Sequence, residues 1–266
     1  MCPRIFHIYG DLWINGYGLM IAIGLLLFTY LTYNHSLRKD LISGENFLNI
    51  LFIGFVSGVV GGRLLFVFLN FEKFNSFLEI FYLWTGGFYL LGTIIAVIIC
   101  VPLYLNSIGV RFLPFMDLVS IYAPLLQAIS RIGCFLAGCC FGASAGPGIP
   151  WAVTFTDPES FAPIGVPLHP TQLYSAAASF TIFLILRSLT KRLDFKSGVI
   201  FSLYLIFESM ARFSVDFWRG AGDRDLVSNF LLGPVSGYLS SSQIIAVFLF
   251  FLAIIFLASR IKSKTI

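Results

Sequence analysis

The sequence predicts an all-α, polytopic integral membrane protein of about seven transmembrane helices, with its N-terminus outside and its C-terminus in the cytoplasm. Hydrophobic residues make up 58% of the 266 positions and charged residues only 11%, and the mean hydropathy is +0.90. About a quarter of the residues in a soluble domain are usually charged. This chain therefore has too little polar surface for a globule surrounded by water, and lipid must cover much of it.

Seven apolar runs are each long enough to cross about 30 Å of hydrocarbon. They lie at 12–33, 47–71, 86–105, 114–137, 170–189, 198–218 and 242–259, and Pro124 and Arg131 interrupt the fourth. Membrane strands are disfavoured, because the runs do not alternate with period two and lipid does not tolerate an open sheet edge. We expect residues 1–266 to form a single transmembrane domain with an extracytoplasmic loop at about 138–169. The N-terminus lacks a basic region and a cleavage site, so the first run is expected to be retained.

The positively charged residues of the loops predict the orientation. One set of alternate loops holds ten, and the other holds four, namely Arg4, Lys73, Arg219 and Arg224. The larger set comprises Arg38, Lys39, Arg111, Arg187, Lys191, Arg192, Lys196, Arg260, Lys262 and Lys264. Cytoplasmic loops carry the excess of lysine and arginine. The larger set is therefore predicted to be cytoplasmic, which agrees with an odd number of spans.

The remaining composition argues against several classes of function. A net charge of +4 is too small for the basic surface of a nucleic-acid-binding protein. The five cysteines show no zinc spacing and are interpreted as small packing residues in helices; they are Cys2, Cys100, Cys134, Cys139 and Cys140. We predict that the protein uses no metal and no cofactor.

Three arginines, Arg63, Arg131 and Arg212, lie in or near the apolar runs. Each costs about 2.5–3.5 kcal/mol at the centre of a membrane helix on insertion scales. Each arginine could have a purely structural role, in which its side chain pairs with an acid or extends to the lipid head groups. The acids available in the sixth run are Glu208 and Asp216. Two carboxylates do not neutralise three guanidinium groups, so we expect an anionic ligand from the bilayer. Arginine forks suit the phosphate of a phospholipid.

Two further features accompany these arginines. Glycines flank them and are expected mainly to allow close helix packing; they are Gly58, Gly61, Gly62, Gly86, Gly87, Gly92, Gly133, Gly138 and Gly142. At the outer end of the fifth run lie His169, Gln172 and Tyr174. A single interfacial histidine or tyrosine is usually an anchor, but three polar side chains beside the long loop favour a site.

Five segments of the chain follow one another in an order known from a single family. They are Tyr17–Met20, Gly61–Arg63, Arg131–Gly142, His169–Tyr174 and Arg212–Arg219. Together they resemble the phosphatidylglycerol–prolipoprotein diacylglyceryl transferases of bacteria, with Arg131–Gly142 as the signature segment in a cysteine-rich form. Each segment alone is a weak signal, but the five in order cover nearly the whole chain.

The resemblance implies a transfer reaction at the outer leaflet of the bacterial cytoplasmic (inner) membrane. The lipobox cysteine of a prolipoprotein signal peptide attacks the glyceryl carbon that bears the phosphate of phosphatidylglycerol. A thioether forms and glycerol phosphate leaves. The acceptor cysteine belongs to the substrate, so the chain's own cysteines need not react, and local positive charge is expected to favour the acceptor's thiolate.

The resemblance also implies roles for particular residues. Arg131 and Arg212 are expected to be catalytic, with Arg131 binding phosphatidylglycerol. The other substrate-binding residues are expected to be Tyr17, Arg63, His169, Gln172, Tyr174, Asp216 and Arg219.

Four positions depart from the family pattern. Leu91 replaces a common histidine, Cys134 the signature asparagine, Ser175 a glutamate and Asn15 another histidine. These changes leave the general base unidentified, although His169 is chemically able to serve. Leu91 and Ser175 leave one rival function open, a catalytically weakened paralogue that binds anionic phospholipid. The arginine and glutamate residues of the apolar runs leave a second, a small transporter, which the absence of internal repeats disfavours.

The predicted orientation is testable with a thiol probe that does not cross membranes. In a variant without native cysteines, we expect labelling of Ser144→Cys but not of Ser188→Cys in intact spheroplasts. Permeabilised spheroplasts, in which both positions react, serve as the control. Labelling of Ser188→Cys alone in intact cells would reverse the orientation.

Overall fold

The computed structural model describes residues 4–9, 12–73, 76–82, 87–146, 148–192, 195–219 and 239–262. Cys2, Gly86, Arg224 and Lys264, which enter the predictions above, lie outside these residues. The described helices are α1 (Gly16–Tyr33), α2 (Ser36–Leu41), α3 (Gly44–Leu69), α4 (Leu90–Ser107), α5 (Phe112–Ala137), α6 (Thr171–Arg192), α7 (Val199–Asp216) and α8 (Ser241–Lys262).

The helices confirm the prediction of a polytopic membrane protein. Among the described residues, six helices are long and apolar enough to cross a bilayer, namely α1, α3, α4, α5, α6 and α8. The predicted sixth span corresponds to α7, which has 18 residues but carries three charged side chains, those of Glu208, Arg212 and Asp216. The total of seven spans and the orientation of the chain in the membrane stay predictions.

The structure adds two short strand pairs to the predicted helices. Residues 12–15 belong to a strand, β2 (Leu12–Asn15), which pairs antiparallel with β1 (Arg4–Tyr9), so α1 begins only at Gly16. A second short pair, β3 (Val153–Thr154) and β4 (Pro167–Leu168), lies in the long loop. The helix α5 is continuous through Pro124 and Arg131, the two residues that interrupt the fourth apolar run in the sequence. A proline removes one backbone hydrogen bond, which a packed membrane helix tolerates.

The chain forms two compact units, of which the smaller is Tyr33–Phe115. In that unit, α3 and α4 pack at glycines. A Cβ on Gly61 would lie 2.5 Å from the carbonyl oxygen of Gly92, and one on Gly62 would lie 2.6 Å from Thr93 Oγ1. Thr93 Oγ1 also donates to the carbonyl of Gly58 at 2.9 Å. The expected role of these glycines in close helix packing is therefore confirmed.

The larger unit comprises Met1–Thr32 and Met116–Ile266, and α5 is its central helix. Half of the apolar stretch of α5 is buried, against 11–28% for the other five apolar helices. At one end of α5, the Asp117 carboxylate accepts from the backbone N–H groups of Gly198 at 2.5 Å and Phe201 at 2.8 Å. This contact caps the N-terminus of α7, where unpaired N–H groups favour a negative charge. It ties α7 to α5.

The packing of α3 on α4 predicts a difference between two glycine substitutions on the same helix. Gly61→Ala should lower the melting temperature in detergent, because its Cβ meets backbone atoms of α4 that move only if the helices separate. Gly54→Ala is the matched control, since its Cβ would contact only Val101 at 3.8 Å. Alanine usually stabilises a helix interior by roughly 0.5–1 kcal/mol relative to glycine. Equal melting temperatures for the two variants would contradict this packing.

Candidate functional site

Arg63 lies in the Tyr33–Phe115 unit, where carbonyl groups of the same unit bind it. Its Nε donates to Ile80 O at 2.9 Å, Nη1 to Gly87 O at 3.3 Å, and Nη2 to Glu79 O at 2.9 Å and Tyr82 O at 3.2 Å. The side chain is 4% exposed. These bonds hold the segment between α3 and α4 and favour the structural interpretation of Arg63. A lipid phosphate is not needed to explain its burial.

Arg212, in the larger unit, has an acidic partner one turn further along α7. Its Nη2 lies 3.9 Å from Asp216 Oδ1, and one third of the Arg212 side chain remains exposed. Asp216 is buried and accepts hydrogen bonds from the hydroxyls of Ser240 and Ser242, which flank the start of α8. Asp216, predicted to bind substrate, therefore joins α7 to α8 and pairs with an arginine.

Arg131 differs from both, because within the described residues its guanidinium forms no hydrogen bond and no ion pair. It lies within electrostatic range of Glu208, which also attracts Arg212. Both Arg131 and the buried Arg219 repel Arg212. Arg131 and Arg219 therefore both lie within electrostatic range of Arg212, so that three guanidinium groups are clustered in this unit. The predicted group of three arginines contained Arg63, which belongs to the Tyr33–Phe115 unit, whereas the structure brings Arg219 to Arg212.

Three cysteine thiols lie beside these arginines. The Sγ atoms of Cys134, Cys139 and Cys140 all lie within 4.8 Å of one another, and none forms a disulfide. Cys139 and Cys140 follow the end of α5, so their interpretation as helix packing residues is wrong. A turn at Gly138, with φ +77°, brings the loop back over the last turns of α5. Spacing along the sequence did not indicate this proximity.

The thiols differ in acidity. Hydrogen bonds with Cys134 and Cys139, together with the positive charges of Arg131 and Arg219, lower the pKa of Cys140 below that of an ordinary thiol. Hydrogen bonds with its two neighbours, together with burial, raise the pKa of Cys139. Cys140 is therefore the thiol of this pair that ionises more readily.

The first turn of α6 holds the loop that carries Cys139 and Cys140, which we call the thiol loop. Gln172 Nε2 donates to the carbonyl of Cys139 at 2.8 Å, and Thr171 Oγ1 donates to that of Cys140 at 2.9 Å. Both donors are almost completely buried. Gln172 was predicted to bind substrate. In the structure its amide nitrogen positions the thiol loop.

Tyr17 lies in the first turn of α1, close to the same group. It interacts electrostatically with all three thiols and with Arg131. Its position depends on Gly133, because a Cβ there would lie 3.0 Å from Met20 Cβ and 3.2 Å from the carbonyl oxygen of Tyr17. The side chain of Tyr17 is 42% exposed, so it is open to a ligand.

His169 and Tyr174 form a polar aromatic cluster with Trp151 and Trp218, which were not among the predicted site residues. The Tyr174 hydroxyl accepts from Trp151 Nε1 at 2.7 Å and lies 3.2 Å from His169 Nδ1. The rings of Tyr174 and Trp218 meet edge to face at 5.9 Å. Exposed tryptophans are typical of the membrane–water interface. Because Tyr174 occupies Nδ1, only Nε2 of His169 is available for proton transfer.

Backbone pairing joins this cluster to the thiol loop. Gly142 N donates to His169 O at 2.9 Å, and Ala143 N donates to Trp218 O at 2.8 Å. A Cβ on Gly142 would lie 2.5 Å from Trp218 O and 2.7 Å from His169 O, so only glycine fits. Except for Arg63, the predicted site residues are thus brought together in the larger unit, around the loop that follows α5.

Two cavities lie along α7 and α8, next to the charged residues. One, of about 270 Å³, has an apolar lining that includes Met210, Phe213 and Phe250. The other, of about 220 Å³, is lined mainly by apolar side chains but also by Glu208 and Arg212. Charged groups thus adjoin apolar space, as an amphipathic ligand requires.

The chain is similar to known proteins over most of its length. The sequence model described as prolipoprotein diacylglyceryl transferase matches residues 3–259. A protein of Clostridium tetani named phosphatidylglycerol–prolipoprotein diacylglyceryl transferase is 36% identical over 83% of this chain and 86% of its own length. A Clostridium perfringens protein of that name, numbered 2, is 31% identical over 89% of this chain and 87% of its own length.

A more distant relative extends the match to almost the complete chain. The phosphatidylglycerol–prolipoprotein diacylglyceryl transferase of Methylococcus capsulatus is 29% identical over 97% of this chain and 95% of its own length. The family resemblance of the five segments is therefore confirmed, and this chain belongs to the prolipoprotein diacylglyceryl transferase family.

Proposed function

We propose that this protein transfers the diacylglyceryl group of phosphatidylglycerol to the lipobox cysteine of prolipoprotein signal peptides, forming a thioether. The observation that carries the proposal is Arg131, a guanidinium in an apolar helix that has no direct partner among the described residues. The relatives named above act, by their names, on phosphatidylglycerol and prolipoprotein. A phosphate group supplies the anion that Arg131 lacks.

The positive charge of Arg131 and Arg212 suits the chemistry of the leaving group. As the thiolate of the acceptor attacks, a C–S bond forms and the C–O bond to phosphate breaks, so negative charge grows on the phosphate. Arg131 and the exposed part of Arg212 are positioned donors that stabilise this charge in a site of low dielectric constant. Arg219 adds positive charge at short range. These arginines are the proposed catalytic and phosphate-binding groups.

The lipid's acyl chains need an apolar surface next to the phosphate. The cavities along α7 and α8 supply it, since one of them includes Arg212 in its lining and the other is apolar. The diacylglyceryl carbon would then face the thiol loop. In this arrangement Arg63 stabilises its own unit rather than binding lipid.

The proposed location is the cytoplasmic (inner) membrane, with the site toward the outer leaflet. The loop at about 138–169 would face outward and receive the signal peptide. Tyr17, His169 and Tyr174, with the exposed Trp151 and Trp218, are the proposed peptide-binding side chains. Gln172 and Asp216 contribute indirectly, by positioning the thiol loop and Arg212.

A transfer assay tests the function. Purified protein in detergent is mixed with phosphatidylglycerol and a lipobox peptide, and the peptide mass is measured. We expect a diacylglyceryl adduct, and none on a control peptide in which the lipobox cysteine is replaced by alanine. Lipid binding without an adduct would favour the weakened paralogue, and the absence of both would contradict the proposal.

Substitution of Arg131 separates a ligand-binding arginine from a structural one. Arg131→Gln should lower transfer by at least about 10²-fold while the protein remains folded, because no described acid loses an ion pair and Glu208 keeps the attraction of Arg212. Arg131→Lys keeps the charge but loses the planar fork, and transfer should still fall strongly. Phosphatidylglycerol should raise the melting temperature of the wild type in a concentration-dependent way but not that of Arg131→Gln.

The matched control is Arg187→Gln on α6. Arg187 Nη1 donates to the hydroxyl of Tyr122 at 2.6 Å, so this arginine has a structural partner. Its loss should lower the melting temperature yet leave the stabilisation by phosphatidylglycerol intact. Equal stabilisation of wild type and Arg131→Gln by the lipid would exclude Arg131 as the phosphate-binding residue.

A further inference from the structure

The three thiols beside Arg131 have the arrangement of a metal site with one open position. Their Sγ atoms lie within 4.8 Å of one another. Sulfur ligands of a tetrahedral zinc ion, at about 2.3 Å from the metal, lie roughly 3.8 Å apart. Small side-chain rotations therefore bring all three onto one ion. Within the described residues, no histidine, carboxylate or further cysteine completes this group.

The protein holds these thiols in place against the preference of the backbone. Cys140 has φ +57°, and among the described residues it is the only one other than glycine with a positive φ. Such a conformation is costly for most residues and persists only where the surroundings impose it. The hydrogen bonds from Gln172 and Thr171 to the loop carbonyls impose it here. The Cys140 side chain is thereby directed toward the other two sulfurs.

The charges around the thiols suit a bound cation with thiolate ligands. Three thiolates and one Zn²⁺ carry a net charge of minus one, and Arg131 and Arg219 lie within electrostatic range of Cys140. Thiolate sulfur is the ligand that favours zinc over magnesium or calcium. Three protein ligands with a free fourth position are typical of catalytic rather than structural zinc sites.

We propose that Cys134, Cys139 and Cys140 bind a zinc ion whose fourth ligand is the sulfur of the acceptor cysteine. The proposal rests on the transfer reaction proposed above and assigns the group that activates the acceptor thiol. It replaces the sequence-based prediction of no metal. It also supplies a role for Cys134, which stands where the family pattern has asparagine.

The chemical step balances without a change in the oxidation state of the metal. When the acceptor thiol coordinates zinc, its proton leaves to solvent and the sulfur remains a thiolate. The sulfur then attacks the glyceryl carbon, and the C–S bond forms as the C–O bond to phosphate breaks. The electron pair of that C–O bond leaves on glycerol phosphate, which the arginines stabilise. The thioether product is a weaker ligand than the thiolate and dissociates from the zinc.

The first test measures metal content and transfer on the same purified protein. We expect about one zinc ion per chain, and a loss of at least about tenfold in zinc affinity for Cys139→Ser and Cys140→Ser. Cys100→Ser is the matched control, because Cys100 is a free thiol on α4. A zinc chelator should abolish transfer, and added Zn²⁺ but not Mg²⁺ should restore it.

The second test does not depend on the folding of variants. Chelated wild-type protein is loaded with Co²⁺, whose thiolate bonds absorb light. A lipobox peptide should strengthen this absorption by adding a fourth thiolate, and a peptide with its cysteine replaced by serine should not. No change with either peptide would contradict the role of the acceptor sulfur as a ligand.

The outcomes distinguish this inference from the proposed function. Undiminished transfer by chelated protein, or by Cys139→Ser and Cys140→Ser without zinc, overturns the zinc site and leaves the transferase intact. A disulfide among the three cysteines in the active purified protein also overturns it. Zinc-loaded protein that binds phosphatidylglycerol but forms no adduct contradicts the transferase, and stabilisation by that lipid reports its binding independently of the metal.

Discussion

A guanidinium group inside a membrane helix has to find its hydrogen bonds in the protein or in a ligand, because hydrocarbon offers none. The three arginines in or near the predicted spans meet this constraint differently. Arg63 uses backbone carbonyls of its own unit, and Arg212 uses Asp216. Within the part of the chain that the structure describes, Arg131 forms no hydrogen bond or ion pair and is attracted to Glu208 at longer range. This difference separates a structural arginine from one that is suited to an anionic ligand.

The remaining structure of the larger unit keeps the groups around Arg131 in place. Gly133 lets α1 approach α5, which brings Tyr17 to the thiols. Gly142 lets the thiol loop pair with the residues before α6 and after α7. Gln172 then binds the loop from α6. A site that is organised before the substrate arrives needs little rearrangement during the reaction. This preorganisation is the main source of electrostatic stabilisation in enzymes.

Hydropathy and five short segments were sufficient to predict the membrane fold class and the family, because both depend on local sequence. Three arginines were predicted to act together, but the structure brings Arg219 rather than Arg63 to Arg212. Arg63 finds its partners up to 24 residues further along the chain, and Arg219 approaches Arg212 only through the end of α7. The thiol group was missed because the turn at Gly138 and the strained Cys140, rather than ligand spacing, bring its members together. Such contacts depend on tertiary structure.

The most direct measurement is an experimental structure of the protein in bilayer discs containing phosphatidylglycerol. We expect a lipid phosphate within about 3 Å of the Arg131 guanidinium, with acyl chains along α7 and α8 and the glyceryl carbon facing the thiols. This expectation is contradicted if Arg131 is closed in an ion pair with Glu208 while the phosphate lies elsewhere.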